Sequence, residues 1–163
     1  MRHSAQSKAL AHVLFDQGWA LERAGRAAEA AERYAGALRQ DRDCASALIQ
    51  LGRLRIGEGR AEEALALLRR AAKANPRIAA AHEALGVLLF ELRRFDQALV
   101  CFERAIALSP FNAELLISRG DCLCELARGE QALASYDAAI ALKPGLAEAH
   151  NNRGNALRRL GRL

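Results

Sequence analysis

Small and bulky apolar residues recur along the chain at a single interval. Gly18, Gly52, Gly86, Gly120 and Gly154 stand 34 residues apart; Ala30, Ala64, Ala98 and Ala132 keep the same spacing, as do Ala37, Ala71, Ala105 and Ala139. Average Gly usage is near 7%, so the five glycines alone would share such a phase by chance on the order of once in ten thousand. A bulky apolar residue keeps the same beat at Tyr34, Leu68, Phe102 and Tyr136. The turn residues repeat with them. Pro76, Pro110 and Pro144 each end a stretch, because proline lacks an N–H and disfavours helix in the residue before it. Gly25, Gly59 and Gly161 suit a left-handed cap at the end of the stretch preceding it. The pattern predicts first helices near 11–24, 45–58, 79–92, 113–126 and 147–160, and second helices near 27–40, 61–74, 95–108 and 129–142. A glycine in mid-helix costs about 1 kcal/mol against alanine. That cost is offset if the missing side chain lets the second helix pack close, with the alanines opposite serving the same end and the bulky residue acting as a plug.

A 34-residue helix–turn–helix carrying these residues resembles the tetratricopeptide repeat (TPR) family. With position one at Ala11, Ala45, Ala79, Ala113 and Ala147, the resemblance covers residues 11–163. It implies an all-α fold, a right-handed TPR superhelix: an α-solenoid of antiparallel helix pairs with four full repeats and the first helix of a fifth. The expected divisions are an N-terminal extension at 1–10, repeats at 11–44, 45–78, 79–112 and 113–146, and a half repeat at 147–163. Departures fall at Arg42, where proline is expected, at Gln17, Arg119 and Arg153 in apolar position seven, and at Arg55 in position eleven; they bear on local packing. The apolar surface of Ala156, Leu157 and Leu160 is expected to lie partly against repeat four and partly against a further helix. The expectation is an N-terminal piece of a longer repeat protein and, as a corollary of the exposed apolar end, a homo-oligomer formed through the C-terminal helix.

Composition agrees with helices. Of 163 residues, 52% are hydrophobic and only 5% aromatic, with three prolines and abundant alanine, the best helix former. The net charge of +5 is scattered among acids with no run of five like charges, which argues against nucleic acid, whose ligands gather basic residues on one face. Cys44, Cys101, Cys122 and Cys124 form no short disulfide framework and read as small apolar residues in a reducing cytosol. No stretch reaches the roughly 18 apolar residues of a membrane span. A soluble, cytoplasmic, bacterial protein is the expectation.

The resemblance implies that the first helices line a concave groove holding an extended or helical peptide, faced mainly by positions two, five, nine, twelve and thirteen. Carried onto this chain, the candidate partner-binding residues are Phe15, Trp19, Ile49, Arg53, Glu83, Val87, Phe90, Ile117, Asp121, Cys124, Asn151 and Asn155. Trp19 with Phe15 reads either as an aromatic anchor or as packing for the N-terminal extension. Val87 and Phe90 read as an apolar centre or as core. Glu83, Glu91, Glu114, Asp121 and Glu125 make the middle acidic, either as a solvated face or as a match for a protein or peptide with basic and apolar side chains. Neither catalytic residues nor a cofactor or metal is expected: His82 and His150 recur at a packing position, and the C-x-C of Cys122 and Cys124 has no second pair at ligand spacing. The basic clamp of chaperone-binding relatives is missing. An asparagine ladder at position six is met only by Asn152, yet the run at 147–157 resembles bacterial TPR proteins that precede O-GlcNAc-transferase-like domains. Three readings follow: a non-catalytic protein–protein interaction scaffold, a self-associating assembly unit, and the N-terminal region of a larger glycosyltransferase-like protein.

Overall fold

The computed structural model describes residues 2–162; Met1 and Leu163, which the expected extension and half repeat include, lie outside the described residues. Among the described residues there are nine α-helices: α1 (Arg2–Arg23), α2 (Ala27–Gln40), α3 (Ala45–Gly57), α4 (Ala61–Ala74), α5 (Ala79–Glu91), α6 (Phe95–Leu108), α7 (Ala113–Glu125), α8 (Gly129–Leu142) and α9 (Ala147–Arg159). Apart from the N-terminal extension of α1, every boundary lies within one residue of its expected place. None of the helices is long and apolar enough to cross a membrane. The chain divides into two compact units, Met1–Arg77 with α1 to α4 and Ile78–Leu163 with α5 to α9.

The turns show why the helices stop. Gly25, Gly59 and Gly161 take φ of 76°, 73° and 68°, the left-handed conformation that glycine adopts without penalty. The reversal lets the Arg26 N–H donate to the Leu21 carbonyl at 2.9 Å and the Arg60 N–H to the Arg55 carbonyl at 2.8 Å. Arg93 and Ala127 occupy the same place in the next two turns with φ of 57°. There the closing bonds from Arg94 to Leu89 and from Arg128 to Leu123, both 2.8 Å, hold a side chain in a conformation that costs roughly 1 kcal/mol or more. The sequence marks the three glycines and gives no sign of these two strained substitutes. Conversely, the proline missing at Arg42 changes little. Asp41 leaves α2 at φ −135°, ψ 102°, close to the −140°, 91° of Asn75 ahead of Pro76.

Within each unit the helix pairs cross where the period places glycine. In the first unit, a Cβ built on Gly18 would lie 2.6 Å from the Tyr34 ring, and one on Gly52 would lie 2.9 Å from Leu68. In the second, a Cβ on Gly86 would lie 2.8 Å from Phe102 and one on Gly120 would lie 2.4 Å from Tyr136. All four plugs are buried, as are Ala30, Ala64, Ala98 and Ala132 opposite them. The glycine therefore makes room for the plug itself, and the neighbouring alanines let the backbones close around it. Two of the polar residues at position seven find partners on α8: Arg119 donates to the Ser135 hydroxyl at 2.9 Å across the α7–α8 crossing, and Arg153 of α9 donates to the Asp137 carboxylate at 2.5 Å. His82 is buried, as expected of a packing residue, whereas His150 is exposed and bonds the Pro144 carbonyl at 2.8 Å.

Gly154 repeats the period, but a Cβ there would meet nothing within 4 Å. The two glycines therefore separate packing from helix propensity. Gly86→Ala is expected to destabilise the protein by about 1–3 kcal/mol, because the buried Phe102 ring has nowhere to yield. Gly154→Ala is expected to stabilise it by roughly 0.5–1 kcal/mol through chain entropy alone. Urea unfolding followed by circular dichroism measures both, and equal shifts of the same sign would contradict the plug-and-gap account.

Candidate functional site

The first helices of the second unit, α5, α7 and α9, lie side by side, α7 touching both neighbours. Their shared face holds two adjoining hollows. One, of about 300 Å³, is bounded by Val87, Phe90, Glu91, Phe102, Ser118 and Asp121. The other, of about 250 Å³, is bounded by Phe90, Asp121, Cys124, Glu125, Tyr136, Asn152, Asn155, Ala156 and Arg159. Phe90 and Asp121 stand in the wall of both. The first hollow is the more apolar; the second carries carboxylates, amides and one guanidinium, that of Arg159, 3.8 Å from Glu125.

Asp121 organises the polar hollow. The Tyr136 hydroxyl donates to its Oδ1 at 2.7 Å, and the Asn152 amide donates to the same oxygen at 2.9 Å. The Cys124 thiol lies 3.6 Å from that hydroxyl. Tyr136 reaches this point because α8 crosses α7 at Gly120: its ring fills the gap at Gly120, and its hydroxyl emerges beside the next residue. Burial raises the Asp121 carboxyl above the ordinary aspartate range, the two donors pull it down, and Glu148 and Glu125 push it up again. The Tyr136 phenol is raised, first by burial and then by Asp121, so it remains a proton donor.

In the first unit a related arrangement stands on α1. The Tyr34 hydroxyl donates to Glu22 Oε2 at 2.6 Å, and the Phe15 ring lies 5.6 Å from the Tyr34 ring. Burial, ahead of Glu22, raises the Tyr34 phenol. Trp19, one turn from both Phe15 and Glu22, is 44% exposed.

Not every candidate from the sequence reaches a surface. Val87, Phe90, Asp121, Cys124 and Asn155 line the two hollows. Glu83 is half-buried and Asn151 exposed, and neither lines them. Ile49 and Ile117 are corrected: at 5% and 3% exposure they are core residues, because position five in these two helices points inward. Phe15 is half-buried and Arg53 exposed on the first unit. Glu114 is tied to Lys143 at 2.6 Å, which lowers its carboxyl below the ordinary range and removes it from the acidic set. Among the cysteines, Cys44, Cys101 and Cys122 are buried. The Cys122 thiol, donating to the Phe95 carbonyl at 3.0 Å, is pushed up to about 11 chiefly by burial. Cys124 alone is half-buried. The residues that sequence reasoning missed are Tyr136 and Asn152. The available signal was chemical: two of the four plugs carry a hydroxyl that a packing role does not need. Among the described residues no group of three or more His, Cys, Asp or Glu is placed to hold a metal ion.

Comparison with known proteins agrees with this architecture. A family model described as tetratricopeptide repeat matches residues 15–76, 49–113, 84–147 and 125–163. No curated protein sequence matches the chain. Among solved structures, MamA is 24% identical with a TM-score of 0.82, over 89% of this chain and 85% of that one. MamA from Desulfovibrio magneticus RS-1 is 20% identical with a TM-score of 0.85, over 93% and 86%. YrrB, described as a TPR protein with an unusual peptide-binding site, is 23% identical with a TM-score of 0.82, over 91% and 77%. The fold class is the expected all-α TPR solenoid.

Asp121→Asn retains an acceptor for Tyr136 and Asn152 and removes the half-buried charge. Because the native carboxyl is raised, its charge works against folding above the native pKa. That penalty fades as the pH falls towards the ordinary aspartate value of about 3.9. The variant is therefore expected to melt at the same temperature as the parent or higher at pH 7, with the gap closing in acid. Thermal melts at several pH values check this; a marked loss of stability at pH 7 would contradict the assignment of burial as the dominant influence.

Proposed function

Because the chain belongs to the tetratricopeptide repeat family, we propose that it is a non-catalytic interaction scaffold whose second unit binds a segment of a partner protein across α5, α7 and α9. The observation that carries this reading is the pair of adjoining hollows sharing Phe90 and Asp121. An apolar recess beside a polar one suits successive side chains of one peptide, the first excluding water and the second fixing register. Val87, 40% exposed at the rim of the apolar hollow, is surface that a partner would cover. The peptide-binding site ascribed to the similar structure YrrB supports the same use of the fold. The partner segment brings basic and apolar side chains, since the carboxylates of Glu91, Asp121 and Glu125 surround the aromatic wall.

Binding at this face is favoured over self-association through α9. Leu160 at that end, though 36% exposed, packs in part against Gly129 of its own unit: a Cβ there would come within 2.8 Å of it.

Selection of random twelve-residue peptides on the immobilised chain tests the proposal. Cys124 serves as the reporter, being the one half-buried thiol beside three buried ones. A selected peptide is expected to slow maleimide labelling of Cys124. Val87→Ser is expected to weaken that peptide by roughly three- to sevenfold, the worth of covering the exposed two-fifths of one valine. Peptides that bind while Cys124 labels at its unliganded rate would place the site elsewhere.

A further inference from the structure

We propose that each unit carries a receptor for one basic side chain of the partner: Glu22 with Tyr34 in the first unit, and Asp121 with Tyr136 and Asn152 in the second. This rests on the scaffold reading above and adds to it the residues that receive the basic side chain and a second place of binding.

The argument begins with which acids are paired. Glu29, Glu58, Glu63, Glu114, Glu130 and Asp137 are exposed, and each makes an ion pair with an arginine or lysine of this chain. Such pairs contribute little, because water solvates both partners well. Glu22 and Asp121 are the reverse. Both are half-buried, and among the described residues neither has a lysine or arginine partner. A carboxylate drawn out of water is costly unless a counter-charge meets it. A buried phenol needs an acceptor, yet a neutral carbonyl or amide oxygen would satisfy it without that cost. The acid is therefore explained by what it can receive from outside.

The geometry prepares that reception. In the second unit both donors converge on Oδ1, which fixes the carboxylate and leaves Oδ2 as the acceptor for an arriving N–H. Phe90 stands beside it to cover the aliphatic stem of a lysine or arginine. In the first unit one donor fixes Glu22, and Trp19 lies one turn back on the same helix, where an aromatic face attracts a cation, while Phe15, two turns back, packs against the Tyr34 ring. The plug position shows that the arrangement is selective. Leu68 and Phe102 hold the same place as the two tyrosines without a hydroxyl, and the residues at positions nine and twelve of their repeats are Arg53 and Ile56, and Val87 and Phe90. Where the hydroxyl is lost, positions nine and twelve carry no carboxylate.

The test selects random twelve-residue peptides on the immobilised full chain and compares them with those selected on Glu22→Gln, Asp121→Asn and the double variant, each confirmed folded by circular dichroism. Wild-type selection is expected to enrich lysine and arginine next to large apolar residues, and the double variant to lose that enrichment. A peptide selected on the wild type is expected to bind about tenfold more weakly to the single variant of the receptor it occupies, with a shallower dependence on salt, and equally well to the other single variant. Tyr34→Phe and Tyr136→Phe keep the ring in its gap and are each expected to weaken the peptide at their own receptor less, by two- to fourfold, as positioning residues. Peptides enriched without a basic excess, or with an excess that persists on the double variant, would overturn the receptors and leave the scaffold reading standing. Failure to enrich any peptide over a scrambled control would overturn both.

Discussion

One contact governs both the packing and the chemistry of this chain: a bulky side chain on each second helix pressed into the gap left by a glycine on the first. The spacing between the two helices is set by that clearance, since a single added carbon at Gly120 would stand 2.4 Å from the Tyr136 ring. Glycine weakens a helix, and the structure recovers the loss by burying a whole aromatic or leucine side chain, worth about 1.5–3 kcal/mol each. The same contact aims the plug. A ring lying over Gly120 has its far end at Asp121, and a ring lying over Gly18 has its far end one turn on, at Glu22. The packing motif thus delivers a proton donor to the outer face of the first helix without any loop or cofactor to hold it.

What the sequence made legible follows from this. The helices are readable because glycine, plug and proline repeat with a fixed period, and each has a backbone or steric reason to stand where it does. Depth is not readable in the same way. A position within a repeat names a face of the helix but not how far the neighbouring helix covers it, so Ile49 and Ile117 share position five with the half-buried Phe15 and Glu83 yet lie in the core. Backbone strain is equally hidden. Arg93 and Ala127 sit at φ 57° because the turn imposes it, and nothing in their side chains announces the fact. The tyrosine hydroxyls were visible as letters, but their partners depend on a crossing that only the fold supplies.

The charge balance carries a similar lesson. A net +5 describes the whole chain, yet the charges that matter for recognition are the few that water does not reach well. Most of the ion pairs are exposed, among them Arg26 with Glu29 and Arg162 with Glu130, where solvent screening leaves little energy to gain or lose. Asp121 is drawn part-way out of water, and both it and Glu22 are held by a tyrosine hydroxyl, so a cation brought to either meets a carboxylate of fixed geometry. An overall basic protein can therefore select a basic partner, since long-range repulsion is screened within about 10 Å in ordinary salt while the local attraction is not.

Fold and specificity separate cleanly in such a repeat. Tyrosine and phenylalanine fill the gap over a glycine almost equally well, so exchanging them alters packing little while adding or removing one donor at the binding face. The carboxylate that the donor fixes lies on the first helix, at position nine or twelve, where the crossing tolerates Asp121, Val87, Arg53 or Trp19 alike. Two substitutions per repeat, one adding only a hydroxyl to the plug and the other at position nine or twelve of the first helix, convert an apolar station into a cation station. The chain carries both pairings on the same backbone, Phe102 with Val87 in one repeat and Tyr136 with Asp121 in the next, their helices crossing at equivalent glycines. The constraint that fixes the fold thereby leaves the binding face free to vary, which is why the repeat declares its architecture so plainly and its partner only through the exceptional placement of a few polar atoms.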